Sequence, residues 1–263
     1  MYISASYIDI KLNQDYADFF IDEDFSGLII CDGIGEFKDS GIVARTVVEL
    51  FTDKKLLVAE KIIYSKELIN LQNKKIIGGT TLISCVADLK LNKVKIQYLG
   101  NGGIIQFRGD FAQNSNSSIP YRYADIMVPH IAPNGSLTKH ISNHSGKQEL
   151  KASEVELKFT TEVGDILLFF SDGIGSLENN FILNDEENRF WRYENDIIQT
   201  VLQELNLFLK KADFKDGFDN QLIEFNKSIL KQLKNEDKLE DDAALGILIT
   251  NGVINFYKSQ IDG

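Results

Sequence analysis

Apolar and polar positions alternate, or β-branched residues run together, at Tyr2 to Ile10, Gly27 to Cys31, Thr80 to Leu89, Val94 to Leu99 and Gly103 to Arg108, and each run predicts a strand. Ser153 to Phe159 and Asp165 to Ser171 read as a strand pair. Ala243 to Thr250 reads as a strand joined to Val253 to Lys258 through Asn251-Gly252, a strong hairpin dipeptide. The period changes to three and four at Ile42, Val43, Thr46, Val47 and Leu50, behind an Asp39-Ser40 cap, and again over Ala59 to Leu71. From Trp191 to Leu233 the apolar residues predict two amphipathic helices broken near Lys215-Asp216-Gly217, with Trp191 at the start of the first as packing. The prolines, Pro120, Pro129 and Pro133, lie among Asn, Ser and Gly between Gly109 and Gly146, which reads as long loops around one strand. Strands in adjacent runs and helices in pairs predict an α+β fold: two antiparallel sheets face to face with helices outside. With no linker visible, residues 1–263 read as one domain.

Charge narrows the partners. Lys and Arg number 28 against 39 Asp and Glu, for a formal net charge of −11. That balance argues against nucleic acid or an anionic membrane, which need basic patches, and suits a cation site. Cys31 and Cys85 each sit in an apolar run, as buried free thiols do in a reducing compartment. The first residues show no signal-like basic and apolar pattern and no stretch approaches the ~20 apolar residues of a membrane span, so the expected location is cytoplasmic.

The candidate chemistry lies in a near repetition. Leu28-Ile29-Ile30-Cys31-Asp32-Gly33-Ile34-Gly35 is echoed by Leu167-Leu168-Phe169-Phe170-Ser171-Asp172-Gly173-Ile174-Gly175. Each apolar strand delivers an aspartate at its end, followed by a glycine that lets a backbone carbonyl approach whatever the carboxylate holds. Asp241-Asp242 precedes a third apolar strand, and in an antiparallel sheet a strand's start lies beside its neighbour's end. Asp15, in Lys11-Leu12-Asn13-Gln14-Asp15, can reach the same edge from a loop. Carboxylates so crowded repel one another unless a hard cation neutralises them, and Mg²⁺ or Mn²⁺ suits an oxygen set. Asp-Gly is also an ordinary turn dipeptide, so the pattern alone leaves both readings open.

The order of Asn13-Gln14-Asp15, Asp32-Gly33-Ile34-Gly35, Gly79-Thr80-Thr81, Gly100-Asn101-Gly102, Gly164-Asp165 through Asp172-Gly173, and Asp241-Asp242 resembles the motif series of the protein phosphatase 2C family, in its bacterial form, over nearly the whole chain. The resemblance implies an α-β-β-α sandwich that hydrolyses phosphoserine or phosphothreonine in proteins with a water activated between two divalent cations, Mn²⁺ or Mg²⁺. By position, Asp32 and the Gly33 carbonyl, with Asp172 and Asp241, become the metal ligands, and Asp15 a supporting residue outside them. A phosphorylated protein, opposed by a serine/threonine kinase, becomes the partner. The chain also departs from the pattern. Where family members carry a phosphate-binding arginine it has Ile10, with Lys11 next as a substitute lacking the bidentate fork. Asn101 replaces an aspartate that helps hold a third ion, which implies two metals and no tight third one. Ala244 replaces a Thr or Ser, and Gly33-Ile34-Gly35 lacks a histidine placed there in eukaryotic members. Ile10 and Asn101 motivate an alternative, a catalytically weak relative serving as a binding or regulatory module. His130, His140 and His144, without cysteine companions, read as surface residues.

Overall fold

The computed structural model describes residues 1–35, 37–109, 122–144, 151–160, 164–175, 182–184, 191–193, 196–214 and 217–261. In chain order the elements are β1 (Tyr2–Ile8), β2 (Tyr16–Ile21), β3 (Phe25–Cys31), α1 (Ser40–Thr52), α2 (Ala59–Ile63), α3 (Lys66–Asn73), β4 (Gly79–Thr80), β5 (Leu82–Asp88), β6 (Lys93–Leu99) and β7 (Gly103–Gly109). They continue with β8 (Arg122–Asp125), β9 (Ile141–Ser142), β10 (Ser153–Lys158), β11 (Gly164–Phe170), β12 (Ile182–Asn184), β13 (Trp191–Tyr193), α4 (Asp196–Lys211), α5 (Phe218–Asn235), β14 (Ala243–Ile249) and α6 (Asn251–Ile261).

Two five-stranded antiparallel sheets carry the fold, one in the order β1-β14-β11-β7-β8 and the other β10-β6-β5-β3-β2. Strict alternation along the central strands gives each sheet two buried faces, so the core has three layers. Ile3, Leu28, Ile30, Ile83, Ile96, Leu167, Phe169 and Leu248 fill the space between the sheets. Their alternates on the first sheet, Ile166, Leu168, Phe170, Leu245 and Ile247, pack against α4, α5 and α6. On the second, Ile29, Cys31, Leu82 and Leu99 pack against Val43, Val47 and Phe51 of α1 and Ile62 and Leu68 of α2 and α3. This is the expected α+β sandwich with helices outside both sheets. Leu28 of β3 crosses the middle layer to rest on Gly246 of β14, where an added Cβ would stand 3.1 Å from each of its terminal methyls. Cys31 and Cys85 are buried free thiols, as expected.

Several elements differ from their predicted form. Val253, Ile254 and Tyr257 recur at a helical interval and bury into the α4–α5 layer, so the chain after β14 is the helix α6 and not the second arm of a hairpin. Asn251-Gly252 opens that helix; the side chain of Asn251 accepts from the Met1 amino group at 3.0 Å. Ser153 to Phe159 and Asp165 to Ser171 do not pair: β10 adds to β6 on one sheet, and β11 lies between β7 and β14 on the other. The Ala59 to Leu71 helix is two short ones, divided where Ser65 takes an extended backbone and its hydroxyl caps α3 by accepting from Leu68 N–H at 3.3 Å. Asp39 precedes α1, but its carboxylate accepts from the N–H of Ile77 at 3.0 Å instead of capping the helix. β1 ends at Ile8, Thr80 to Leu89 divides into β4 and β5, and β2 pairs with β3 as an edge strand that the pattern did not reveal. Trp191 lies in β13, paired across to Asn184, and does not begin a helix. Between Gly109 and Gly146 two short strands, β8 and β9, are present; residues 113–118 lie outside the described residues. No helix among the described residues is long and apolar enough to cross a membrane.

Candidate metal centre

Antiparallel register brings widely separated residues to one rim. Ile8 at the end of β1 faces Ala243 at the start of β14, and Phe170 at the end of β11 faces Gly103 at the start of β7. On the other sheet Cys31, ending β3, faces Tyr16, starting β2, and Leu82, starting β5, faces Leu99, ending β6. Every candidate acid is the first residue or two beyond one of these ends.

Asp15, Asp32 and Asp172 meet there. Asp15 is only 2% exposed, Asp32 is half-buried and Asp172 is exposed. The carboxyl of Asp32 hydrogen-bonds to those of both Asp15 and Asp172. Burial, then the charges of Asp15 and Asp172, push Asp32 well above the ordinary carboxylate range. Burial pushes Asp15 up to about 7 against hydrogen bonds from Ser171 and Asp32 that favour its anion. Burial and the neighbouring carboxyls thus both oppose ionisation of Asp15 and Asp32. One oxygen of Asp15, Oδ2, is buried without a partner.

The backbone around this trio is tightly fixed. Asp32 N–H donates to Thr81 Oγ1 at 3.1 Å, while its carbonyl accepts from Thr81 N–H at 2.8 Å and Thr80 Oγ1 at 2.9 Å. The next turn is held by Ser40, whose hydroxyl donates to the Ile34 carbonyl at 2.7 Å and accepts from Gly79 N–H at 3.2 Å. Ser171 pairs with Ala244 in both directions, N–H to carbonyl at 3.1 Å and Ala244 N–H to the Ser171 hydroxyl at 2.9 Å. At Gly173 the segment leaving β11 lies so close to the one entering β14 that a Cβ would collide with the carbonyl oxygen of Asp242.

Asp241 and Asp242 have separate fates. Asp241 is exposed, and its carboxylate accepts from the N–H of Asp242 at 2.9 Å. It stands at the rim, two residues before β14, and is not part of the bonded trio of acids. Asp242 is buried, and its carboxylate accepts four main-chain N–H groups: Ile10 (2.6 Å) and Lys11 (2.8 Å) on one oxygen, Leu12 (3.2 Å) and Gln14 (2.9 Å) on the other. The loop wraps around the anion because Asn13 takes a left-handed backbone, φ 56°. Burial favours the neutral form of Asp242, but the four N–H bonds outweigh it and lower its pKa. Pattern reasoning missed this role; the signal for it was a polar loop after a strand with an Asn able to turn left-handed. Lys11 is exposed on the same loop.

Two further residues join the site. Asn101 donates from Nδ2 to Asp172 Oδ2 at 2.6 Å. His130 is not the predicted surface residue: it is half-buried against the Gly100 turn, with Nδ1 accepting from Gly100 N–H at 3.2 Å.

Among the described residues no group of three His, Cys, Asp or Glu side chains is arranged to hold a metal ion. The chemistry of the donors nevertheless suits a hard divalent ion. All are oxygens, three carboxyls are packed where only protons or cations relieve their repulsion, and a buried Asp15 oxygen is left unpartnered.

No protein-family model and no curated protein matches this chain. Solved structures do. A serine/threonine phosphatase of S. agalactiae superposes with a TM-score of 0.55 at 15% identity, covering 93% of this chain and 97% of that one. RsbX in complex with magnesium gives 0.53 at 13% identity, over 95% and 96%. A C. elegans sex determining protein gives 0.57 at 14% identity, over 97% of this chain and 66% of that longer one. The chain therefore has the α+β sandwich fold of the serine/threonine phosphatases of protein phosphatase 2C type.

Proposed function

We propose that this protein is a metal-dependent phosphatase that hydrolyses phosphoserine or phosphothreonine in proteins. The observation that carries the reading is the meeting of Asp15, Asp32 and Asp172 at one rim, delivered by both sheets of a sandwich whose solved neighbours include serine/threonine phosphatases. Asp32, the Gly33 carbonyl, Asp172 and Asp241 would hold two Mn²⁺ or Mg²⁺ ions. One of the neighbours was solved with magnesium. Divalent cations supply Lewis-acid polarisation of a phosphoryl oxygen and acidify a water for attack.

The chain's own residues supply order around that chemistry. Thr80 and Thr81 fix the backbone on which Asp32 stands. Asp15, whose anion Ser171 and Asp32 favour against its burial, supports the ligands from behind. Lys11, exposed on the loop that Asp242 gathers, offers a point charge to the substrate phosphate. The substrate is a phosphorylated protein, and a serine/threonine kinase would install the group removed here.

Hydrolysis of a phosphothreonine peptide in added Mn²⁺, abolished by chelator, is the expected result. Full activity of Asp172→Ala would overturn the assignment. Binding of Mn²⁺ without turnover would favour the alternative of a regulatory module.

A further inference from the structure

Asn101 lies between two glycines with positive φ, Gly100 at 96° and Gly102 at 99°. Side chains at these positions would run into Thr81 on one side and the Phe170 carbonyl on the other, so the turn is tied to both sheets. In this one conformation the Asn101 amide reaches Asp172 Oδ2 at 2.6 Å. The turn is gripped from behind by His130. Its main-chain N–H donates to the Gly100 carbonyl at 2.8 Å, and its Nδ1 accepts from Gly100 N–H at 3.2 Å. An accepting Nδ1 puts the proton on Nε2, which lies 2.9 Å from Ser153 Oγ and donates to it. The ring stacks on Tyr98, centroids 5.3 Å apart at 26°. Each link in this series is a directional bond, and the last one ends on a carboxylate of the acidic cluster.

We propose that His130, Gly100 and Asn101 form a positioning bracket for Asp172, in which the Asn101 amide holds one carboxylate oxygen and directs the other towards a bound divalent cation. An amide suits this task because it donates without adding a fourth negative charge to three crowded carboxyls. Asn101 is thus a positioning residue, and His130 positions it in turn. Removal of an outer partner of this kind costs about 10- to 100-fold in metal affinity or activity. The inference rests on the phosphatase reading for its kinetic consequences but not for the bond itself.

The test has two arms. In the metal-free full chain, the Asn101 side-chain amide protons are expected to be shifted downfield and slow to exchange in nuclear magnetic resonance spectra. Asp172→Ala and His130→Ala should return them towards a free amide, and His130→Asn, whose Oδ1 stands in for Nδ1, should restore the bonded signal. Unchanged Asn101 resonances in Asp172→Ala would overturn the bracket, whatever the enzyme does. In the second arm, calorimetry with Mn²⁺ and kinetics on a phosphothreonine peptide compare wild type with Asn101→Ala. The bracket predicts ten-fold or more weaker Mn²⁺ binding and a fall in kcat with little change in KM. Wild-type metal affinity and kcat in a folded Asn101→Ala protein would also overturn it. A wild type that shows the bonded amide but binds no Mn²⁺ would sink the phosphatase reading and the cation-directing part of the proposal together.

Discussion

The four main-chain N–H groups gathered by Asp242 make a single carboxylate responsible for the course of residues 10–14, and with it for where Asp15 emerges. Asp242→Asn keeps the shape but turns an amide N–H₂ towards donors that need an acceptor. We expect a loss of about 1–3 kcal/mol in denaturant unfolding. The sign of the pH effect follows from the lowered pKa: the contribution is full above the unfolded value of 3.8 and is lost as pH falls through the lower folded value. Wild type should therefore lose stability more steeply below pH 4 than Asp242→Asn does. Asp15→Asn belongs to the same scale. Metal affinity or turnover should fall about 10- to 100-fold, measured by calorimetry and peptide hydrolysis. The meeting of Asp32 and Asp172 was legible because apolar runs announced the strands that deliver them; Asp15 was expected only to reach that edge from a loop, and Asp241, expected among the ligands, stands outside the bonded trio. The anion-wrapping duty of Asp242 was not, because nothing in a pair of adjacent aspartates says which will face a cation and which the backbone.

Among the elements, β11 is anchored by a buried charge. Asp165, fully buried at its start, accepts from Gln106 and Arg108, each at 2.7 Å, and its backbone bonds reciprocally with Thr250 between β14 and α6. Removing the guanidinium with Arg108→Met leaves an anion in the interior with one neutral donor. Such a loss costs about 1–3 kcal/mol, since the guanidinium is half exposed and only the carboxylate is fully buried, and is measurable as a lower denaturant midpoint. The same corner shows why one element was misread. Asn251-Gly252 is a hairpin signal only when a strand follows, and Val253, Ile254 and Tyr257 carry the helical interval that overrules it. β10 and β11, neighbours in sequence, read as a pair but join different sheets. Their alternation is satisfied equally well by opposite sheets, and only the partner strands decide.

For the whole molecule, the three-layered core means that the acids of the rim come from two separate bodies, Asp32 from one sheet and Asp172 from the other. If divalent cations bind between them as proposed, they bind only the folded protein, so millimolar Mn²⁺ should raise the melting temperature, and Asp172→Ala should remove most of that rise. The layers themselves were legible from alternation, whereas the order of strands within each sheet depends on long-range pairing that carries no local signal. The seat of Leu28 on Gly246 fixes the gap between those two bodies. One extra methyl at Gly246 would work as a shim against both Leu28 methyls, each 3.1 Å from it, and so would loosen the jaws that, on the proposed reading, close on the ions. Gly246→Ala should accordingly bind Mn²⁺ more weakly than a helix-side variant of equal stability such as Leu222→Val, as if a vice had lost its last quarter-turn.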